Sequence, residues 1–335
     1  MSPARDDNGL SAEAVTSLLA RAPVVATYSR SGFVESVHHG LVVATDAEGS
    51  VTLVRGEADV PIFPRSSNKP MQTVAMLRAG LKLDGELLTL ASASHNGEDF
   101  HREGARRILA TVGLDESALQ NTPDIPGYEP AKQEWLAAGR EPSAAAQNCS
   151  GKHAAMLVTC VIAGWDLKTY RDPSHPLQQL MAQTLTELTG EAISAIGVDG
   201  CGAPVMALSP LGLARGFGTL AAADPESDEG RVADSMRQHP LWLSGTGRDV
   251  ADLISGVPGL IAKDGAEAVY AVGLPDGRGL AVKIADGSHR ARTVVTMAAL
   301  RAMGLDDPDG VLAKIADEPV LGHGERVGAV EAFDL

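Results

Sequence analysis

Ala268-Val269-Tyr270-Ala271-Val272, Pro275-Asp276-Gly277-Arg278-Gly279 and Leu280-Ala281-Val282-Lys283-Ile284 follow one another as an apolar run, a turn and a second apolar run. Pro fixes φ, Asp-Gly permits the reversal, and the flanking β-branched residues predict two antiparallel strands. The same signature stands near the other end of the chain. Val24-Val25-Ala26-Thr27-Tyr28 is β-rich, and Leu41–Thr45 and Val51–Val54 flank the turn Asp46-Ala47-Glu48-Gly49. Between these regions the pattern is helical. Phe100–Val112, Ala154–Ala163 and Pro176–Leu188 predict helices, the last with Leu177, Leu180, Met181, Leu185 and Leu188 on one face. Asn68–Leu77 also reads as a helix, with Pro70 in its first turn. A final helix is expected over Ala291–Met303. The order strands, helices, strands, helix predicts an α+β fold, a mixed sheet from N- and C-terminal strands with a helical region inserted. Residues 1–22 then form an extension and 23–335 one unit, with an α/β part (about 23–65 and 260–303) and a mainly helical part (about 100–240).

The 335 residues are 44% hydrophobic and 21% charged, which excludes a disordered tail, a fibrous repeat and a disulfide-dense module. Asp and Glu outnumber Lys and Arg by 43 to 28, a formal charge of −15. Such a surface repels phosphate backbones and anionic lipid, so neither nucleic acid nor a membrane is the expected partner. No apolar run approaches the roughly 18 residues of a membrane span. Met1–Asp7 lacks the apolar core of a signal peptide, and a cytoplasmic location is expected. Three cysteines, Cys149, Cys160 and Cys201, cannot all pair, so each is core filler, metal ligand or nucleophile.

Arg65-Ser66-Ser67-Asn68-Lys69-Pro70 contains an S-x-x-K pair. At a helix start Ser66 and Lys69 lie one turn apart, within hydrogen-bonding reach, and a lysine whose charge is suppressed by its surroundings can take a serine proton. The same spacing also describes an N-cap serine beside a solvated lysine. Ala91-Ser92-Ala93-Ser94-His95-Asn96-Gly97-Glu98 has the small, polar composition of a strand-to-loop ligand site. Lys283, in an apolar strand before Asp286-Gly287, is either a tuning lysine for such a site or an edge-strand charge. Asn148-Cys149-Ser150-Gly151-Lys152-His153 precedes a helix, and Asp199-Gly200-Cys201-Gly202 sits in a Gly-bounded loop. Two thiolates near Lys152, His153 and Asp199 can hold zinc, although C-x-x-C pairs are absent. Cys160 falls in an apolar helix and reads as core, and His38-His39 as a surface pair after a strand.

Taken in order, Arg65–Gln72, Ser92–Glu98, Asn148–Met156, Asp199–Gly202 and Lys283–Gly287 resemble the signature blocks of the Rhizobium-type (thermolabile, class 3) L-asparaginase family, over about residues 24–303. The resemblance implies a fold similar to serine β-lactamases and glutaminases, a homodimer and two Ser-Lys pairs. One pair is Ser66 with Lys69. The other joins Lys283 to Ser94, with Ser92 competing for that place. The family's zinc ligands correspond to Cys149, Cys201 and Lys152. In the implied reaction Ser66 attacks the side-chain amide of L-asparagine while Lys69 accepts its proton, and water releases aspartate after ammonia has left. Ser94 and Lys283 pass protons. Arg65, His153 and Asp199 are expected to hold the substrate's α-carboxylate and α-amino groups. A glutaminase or another β-lactamase-like serine amidohydrolase uses the same S-x-x-K, and a zinc-binding protein that had lost the reaction would keep the two cysteines.

Overall fold

The computed structural model describes residues 12–335; Met1–Ser11, which include the segment read for a signal peptide, lie outside the described residues. The strands are β1 (Val24–Arg30), β2 (Phe33–Thr45), β3 (Val51–Arg55), β4 (Ala195–Val198), β5 (Pro204–Ala207), β6 (Ile261–Gly265), β7 (Val269–Gly273), β8 (Gly279–Ile284), β9 (Glu318–Gly322) and β10 (Glu325–Ala332). The helices are α1 (Ala12–Ala20), α2 (Lys69–Arg78), α3 (Gly85–Ala91), α4 (Asp99–Ala110), α5 (Glu129–Ala137), α6 (Ser150–Ala163), α7 (Pro176–Thr189), α8 (Pro210–Ala221), α9 (Asp228–Gln238), α10 (Pro240–Leu243), α11 (Asp249–Gly256), α12 (His289–Ala302) and α13 (Val311–Ile315). The protein is therefore α+β. None of these helices is long and apolar enough to cross a membrane.

One 8-stranded sheet runs β6-β7-β8-β2-β1-β10-β9, with β3 added beside β2. Strands from both ends of the chain meet in it, and each pairing is antiparallel. The hairpin read from 268–284 is present as β7 and β8, joined through Gly277 at φ 91°. Sequence reading recovered only the second half of β2. Its first half carries exposed Phe33, Val34 and Val37, and His38 and His39 lie inside it rather than after a strand. His38 is buried and bonded to Asp286 at 2.8 Å, so it is no surface residue. The chain also continues past α12. A further hairpin, β9–β10, returns to pair with β1, which extends the sheet-forming region beyond 303 to Ala332.

Strands β7 and β8 are buried along their whole length. Gly273 and Gly279 face α8, where an added methyl would overlap the carbonyls of Phe217 and Ala214. Tyr270, of opposite parity on β7, lies under Arg292 of α12. Two helices thus cover opposite faces of these strands. Gly279 is required because the α8 backbone approaches β8 too closely for a Cβ. A Gly279→Ala protein should lose about 1–3 kcal/mol of unfolding free energy through overpacking, measurable by urea titration.

Candidate active site

The segment before α2 turns sharply. Arg65 takes φ 54°, a left-handed conformation that costs a non-glycine residue about 1–3 kcal/mol, and a 3-10 turn over Arg65–Asn68 leads into the helix. The edge strand β6 holds this turn in place. An added methyl at Gly265 would overlap the Pro64 carbonyl, so the strand and the turn touch backbone to backbone. Ser66 is half-buried at the turn, and among the described residues its hydroxyl has no hydrogen-bond partner. Lys69 is 1% exposed. Its amine donates to the Ala93 carbonyl (2.6 Å), Ser94 Oγ (3.0 Å) and Cys149 Sγ (3.0 Å). The expected Ser66–Lys69 hydrogen bond is therefore not made, because three deeper acceptors take the N–H groups of the amine.

These contacts separate the two competing serines. Ser92 Oγ donates to Thr73 Oγ1 at 2.8 Å in the core, whereas Ser94 meets Lys69. His95 braces the loop. Its Nδ1 accepts from the Gly97 N–H (3.0 Å), so Nε2 carries the proton and donates to Ser150 Oγ (2.9 Å). Burial first, then the neighbouring His101 and Lys69, push its pKa well below the ordinary histidine value, so this strut is neutral.

Cys149 caps the start of α6, and Cys201 lies in the β4–β5 loop. Hydrogen bonding from Cys201, then Lys69 and Lys152 acting against burial, lowers the Cys149 thiol well below the ordinary range. The Lys152 amine is 3.7 Å from Cys201 Sγ. Among the described residues no group of three His, Cys, Asp or Glu converges on a metal position; the soft donors that come together here are the Cys149 and Cys201 sulfurs and the Lys152 amine. Two sulfurs and an amine nitrogen would suit a borderline-soft ion such as zinc. Cys160 stands apart, its thiol raised to about 12 by burial.

Arg65 and Asp199, both expected to hold substrate, pair with each other at 2.7 Å. They are 25% and 11% exposed, at the open side of the cluster. His153 makes no hydrogen bond to either of them, and its Nε2 has no partner among the described residues. It is fully buried, bonded through Nδ1 to the Tyr170 hydroxyl (2.6 Å), and burial holds its pKa well below the usual value.

Lys283 is also placed away from the pair it was expected to complete. Its amine donates to the carbonyls of Glu267 (2.7 Å) and Ile284 (2.5 Å). In register it is level with Gly265 but two strands away from it, about 10 Å across the sheet. The lysine beside the site is Lys263 on β6, which the sequence reading passed over. It is fully buried and bonded to Asp264 Oδ1 (2.6 Å) and the Asp264 carbonyl (2.8 Å). Burial, opposed by Asp264 and assisted by the positive field of Lys69, lowers its pKa to about 8. Asp264 also binds Arg248 (2.7 Å) and Arg292 (3.3 Å), and Arg292 binds Asp249 (2.8 Å). Although burial opposes its ionisation, the cations of Lys263, Arg248 and Arg292 hold the Asp264 carboxyl far below the ordinary carboxylate range. The S-x-x-K serine, a buried lysine–serine contact and a second lysine of suppressed basicity thus stand together, a set suited to acyl transfer.

The sequence profile of the L-asparaginase II family matches residues 26–332. The chain belongs to that family. It is an amidohydrolase that converts L-asparagine to L-aspartate and ammonia. No curated protein matches it. Solved structures similar to this asparaginase include the native form of Mglu, at 15% identity and TM-score 0.46 over 88% of this chain and 72% of that one. EstCE1, a hydrolase with promiscuous acyltransferase activity, is 13% identical with TM-score 0.38 over 83% of this chain and 94% of that one. A LovD6 mutant of simvastatin synthase (LovD) from Aspergillus terreus is 14% identical with TM-score 0.37, covering 83% of this chain and 88% of that one.

In this asparaginase, truncating Asp264 leaves Lys263, Arg248 and Arg292 without their common counter-charge. Asp264→Ala should destabilise the fold by about 3–5 kcal/mol, as breaking a buried pair does. Chemical denaturation at neutral pH would show the loss.

Proposed function

We propose that the asparaginase reaction runs through a serine ester, with Ser66 as nucleophile and Lys69 and Ser94 as its proton relay. The observation that carries this reading is the 3.0 Å bond between the buried Lys69 amine and Ser94 Oγ, three residues beyond an unpartnered Ser66. Ser66 Oγ bonds to the side-chain amide carbon as the carbonyl π pair moves onto oxygen, and the serine proton passes to the free-base form of Lys69, which keeps two N–H groups on Ala93 and Ser94 and turns its lone pair from Cys149 to Ser66. The Ser66 N–H precedes the first bonded amide of the 3-10 turn, Ser67 N–H to Pro64, and so is free to stabilise the oxyanion. As the C–N bond breaks, Lys69 returns a proton through the Ser94 hydroxyl to the leaving nitrogen, which departs as ammonia. Water then adds to the ester and restores the Ser66 hydroxyl, leaving aspartate. Lys263 takes the role of second lysine that the family resemblance had placed at Lys283.

The α-carboxylate of the substrate takes Arg65 and its α-ammonium takes Asp199, so one ion pair is exchanged for two. Zinc would be held by Cys149, Cys201 and Lys152, where it would supply a Lewis-acid centre. The protein acts in the cytoplasm as a homodimer in this reading.

Ammonia release from L-asparagine and L-glutamine tests it. Ser66→Ala should lower asparagine turnover by about a thousandfold or more, and Ser94→Ala by about a hundredfold. Mass spectrometry of acid-quenched protein should find the aspartyl adduct on the peptide containing Ser66. Full turnover by Ser66→Ala would overturn the proposal.

Metal analysis gives a separate prediction. Cys149→Ser and Cys201→Ser proteins should lose bound zinc, while Cys160→Ser retains it. Equal zinc in all four proteins, wild type included, would remove the metal from the site.

A further inference from the structure

The segment Leu243–Arg248, from the end of α10 to α11, touches both the loop that carries the relay serine Ser94 and Asp264, the partner of the second lysine Lys263. The Leu243 carbonyl accepts the Ser94 N–H at 3.0 Å. The Thr246 carbonyl accepts from Asn96 Nδ2 at 3.0 Å, and the Glu98 carboxylate accepts the Thr246 N–H and hydroxyl, each at 2.8 Å. Arg248 closes the segment. One guanidinium nitrogen donates to Asn96 Oδ1 (3.2 Å) and another to Asp264 Oδ2 (2.7 Å), while Asp264 Oδ1 holds the Lys263 amine. Its fork thus reaches the loop that carries Ser94 and the strand that carries Lys263.

We propose that Arg248 is a positioning residue for the reaction, splinting the serine-bearing loop to the lysine-bearing strand and so fixing the distance between the two halves of the relay. This rests on the role given to Lys263 above. A planar guanidinium suits the task, because its donors diverge in a fixed geometry, whereas a lysine offers one point charge. Displacing a reacting group by as little as about 1 Å can slow turnover roughly a hundredfold. The splint is separable from stability. Arg292 still binds the Asp264 carboxylate when Arg248 is absent, and the Arg248 side chain is 34% exposed, so its removal opens no deep cavity.

Arg248 also contributes charge. The groups facing the Lys263 amine are Asp264 on its own strand, Lys69 on α2 and Arg248, with Arg292 of α12 behind Asp264 and the neutral His95 beyond Lys69. Removing the Arg248 cation raises the pKa of Lys263, since the cation lowers it. A rate limb that requires neutral Lys263 then moves to higher pH.

Three variants of the full-length protein, Arg248→Met, Arg248→Lys and Lys263→Met, separate these contributions when kcat, KM and pH dependence are measured on protein with a cooperative unfolding transition. Arg248→Met should lower kcat about 10- to 100-fold, with KM within about twofold and the limb shifted upward. Arg248→Lys keeps the charge and loses the fork, so kcat should fall comparably with the limb unmoved. A kcat within about twofold of wild type in either Arg248 variant, or a rise in KM alone, would overturn the splint while leaving the Lys263 role standing. Wild-type kcat in Lys263→Met would overturn both. Should Arg248→Met fail to fold, Arg248→Lys alone decides.

Discussion

The structure depends on where the Lys69 amine sits. A buried lysine is costly unless its N–H groups find acceptors, and Lys69 finds three of them on two separate elements: Ala93 and Ser94 in the loop after α3, and Cys149 at the start of α6. Its own helix, α2, begins at the turn that carries Ser66. One side chain thus ties the turn that carries Ser66, the loop that carries Ser94 and the Cys149 thiol to one another. His95 adds a second tie between the same loop and α6 through Ser150. The edge strand β6 completes the enclosure by pressing Gly265 against the turn.

Charge is distributed around that amine in an orderly way. On one side the two thiols and Asp199 offset Lys152, and Arg65 pairs with Asp199 at the open edge. On the other, Asp264 gathers Lys263, Arg248 and Arg292. Arg65 and Asp199 leave the first group partly exposed at 25% and 11%, while Asp264 and Lys263 of the second are buried. In the proposed reaction, substrate recognition and proton handling fall to different carboxylates, Asp199 and Asp264.

Much of this was legible in the sequence and some was not, for definable reasons. The strands at 24–28, 41–45, 51–54 and 268–284 announced themselves through β-branched runs bounded by turns. Strands β9 and β10 did not, because Glu318–Ala332 mixes charged and apolar residues at a partly exposed edge. Strand β6 was missed because Lys263 and Asp264 interrupt an apolar pattern. Lys263 was therefore lost along with its strand. Lys283 looked equivalent, a lysine in an apolar strand before a turn, and only the structure shows that β6 is the strand pressed against the turn before α2. Ser92 and Ser94 differ by two residues and share full burial, and they part only when Thr73 and Lys69 are seen to claim one each. The cysteine and Asp199 blocks were readable as motifs. His153 was not separable from its neighbours without seeing Tyr170 occupy it.

The most direct measurement is steady-state hydrolysis of L-asparagine by Lys69→Met protein with a wild-type unfolding midpoint. If the buried amine carries the serine proton, turnover falls by about a thousandfold or more, and the asparagine concentration giving half-maximal rate changes little. Turnover within about tenfold of wild type would contradict the account, because among the described residues Lys69 is the lysine whose amine bonds Ser94.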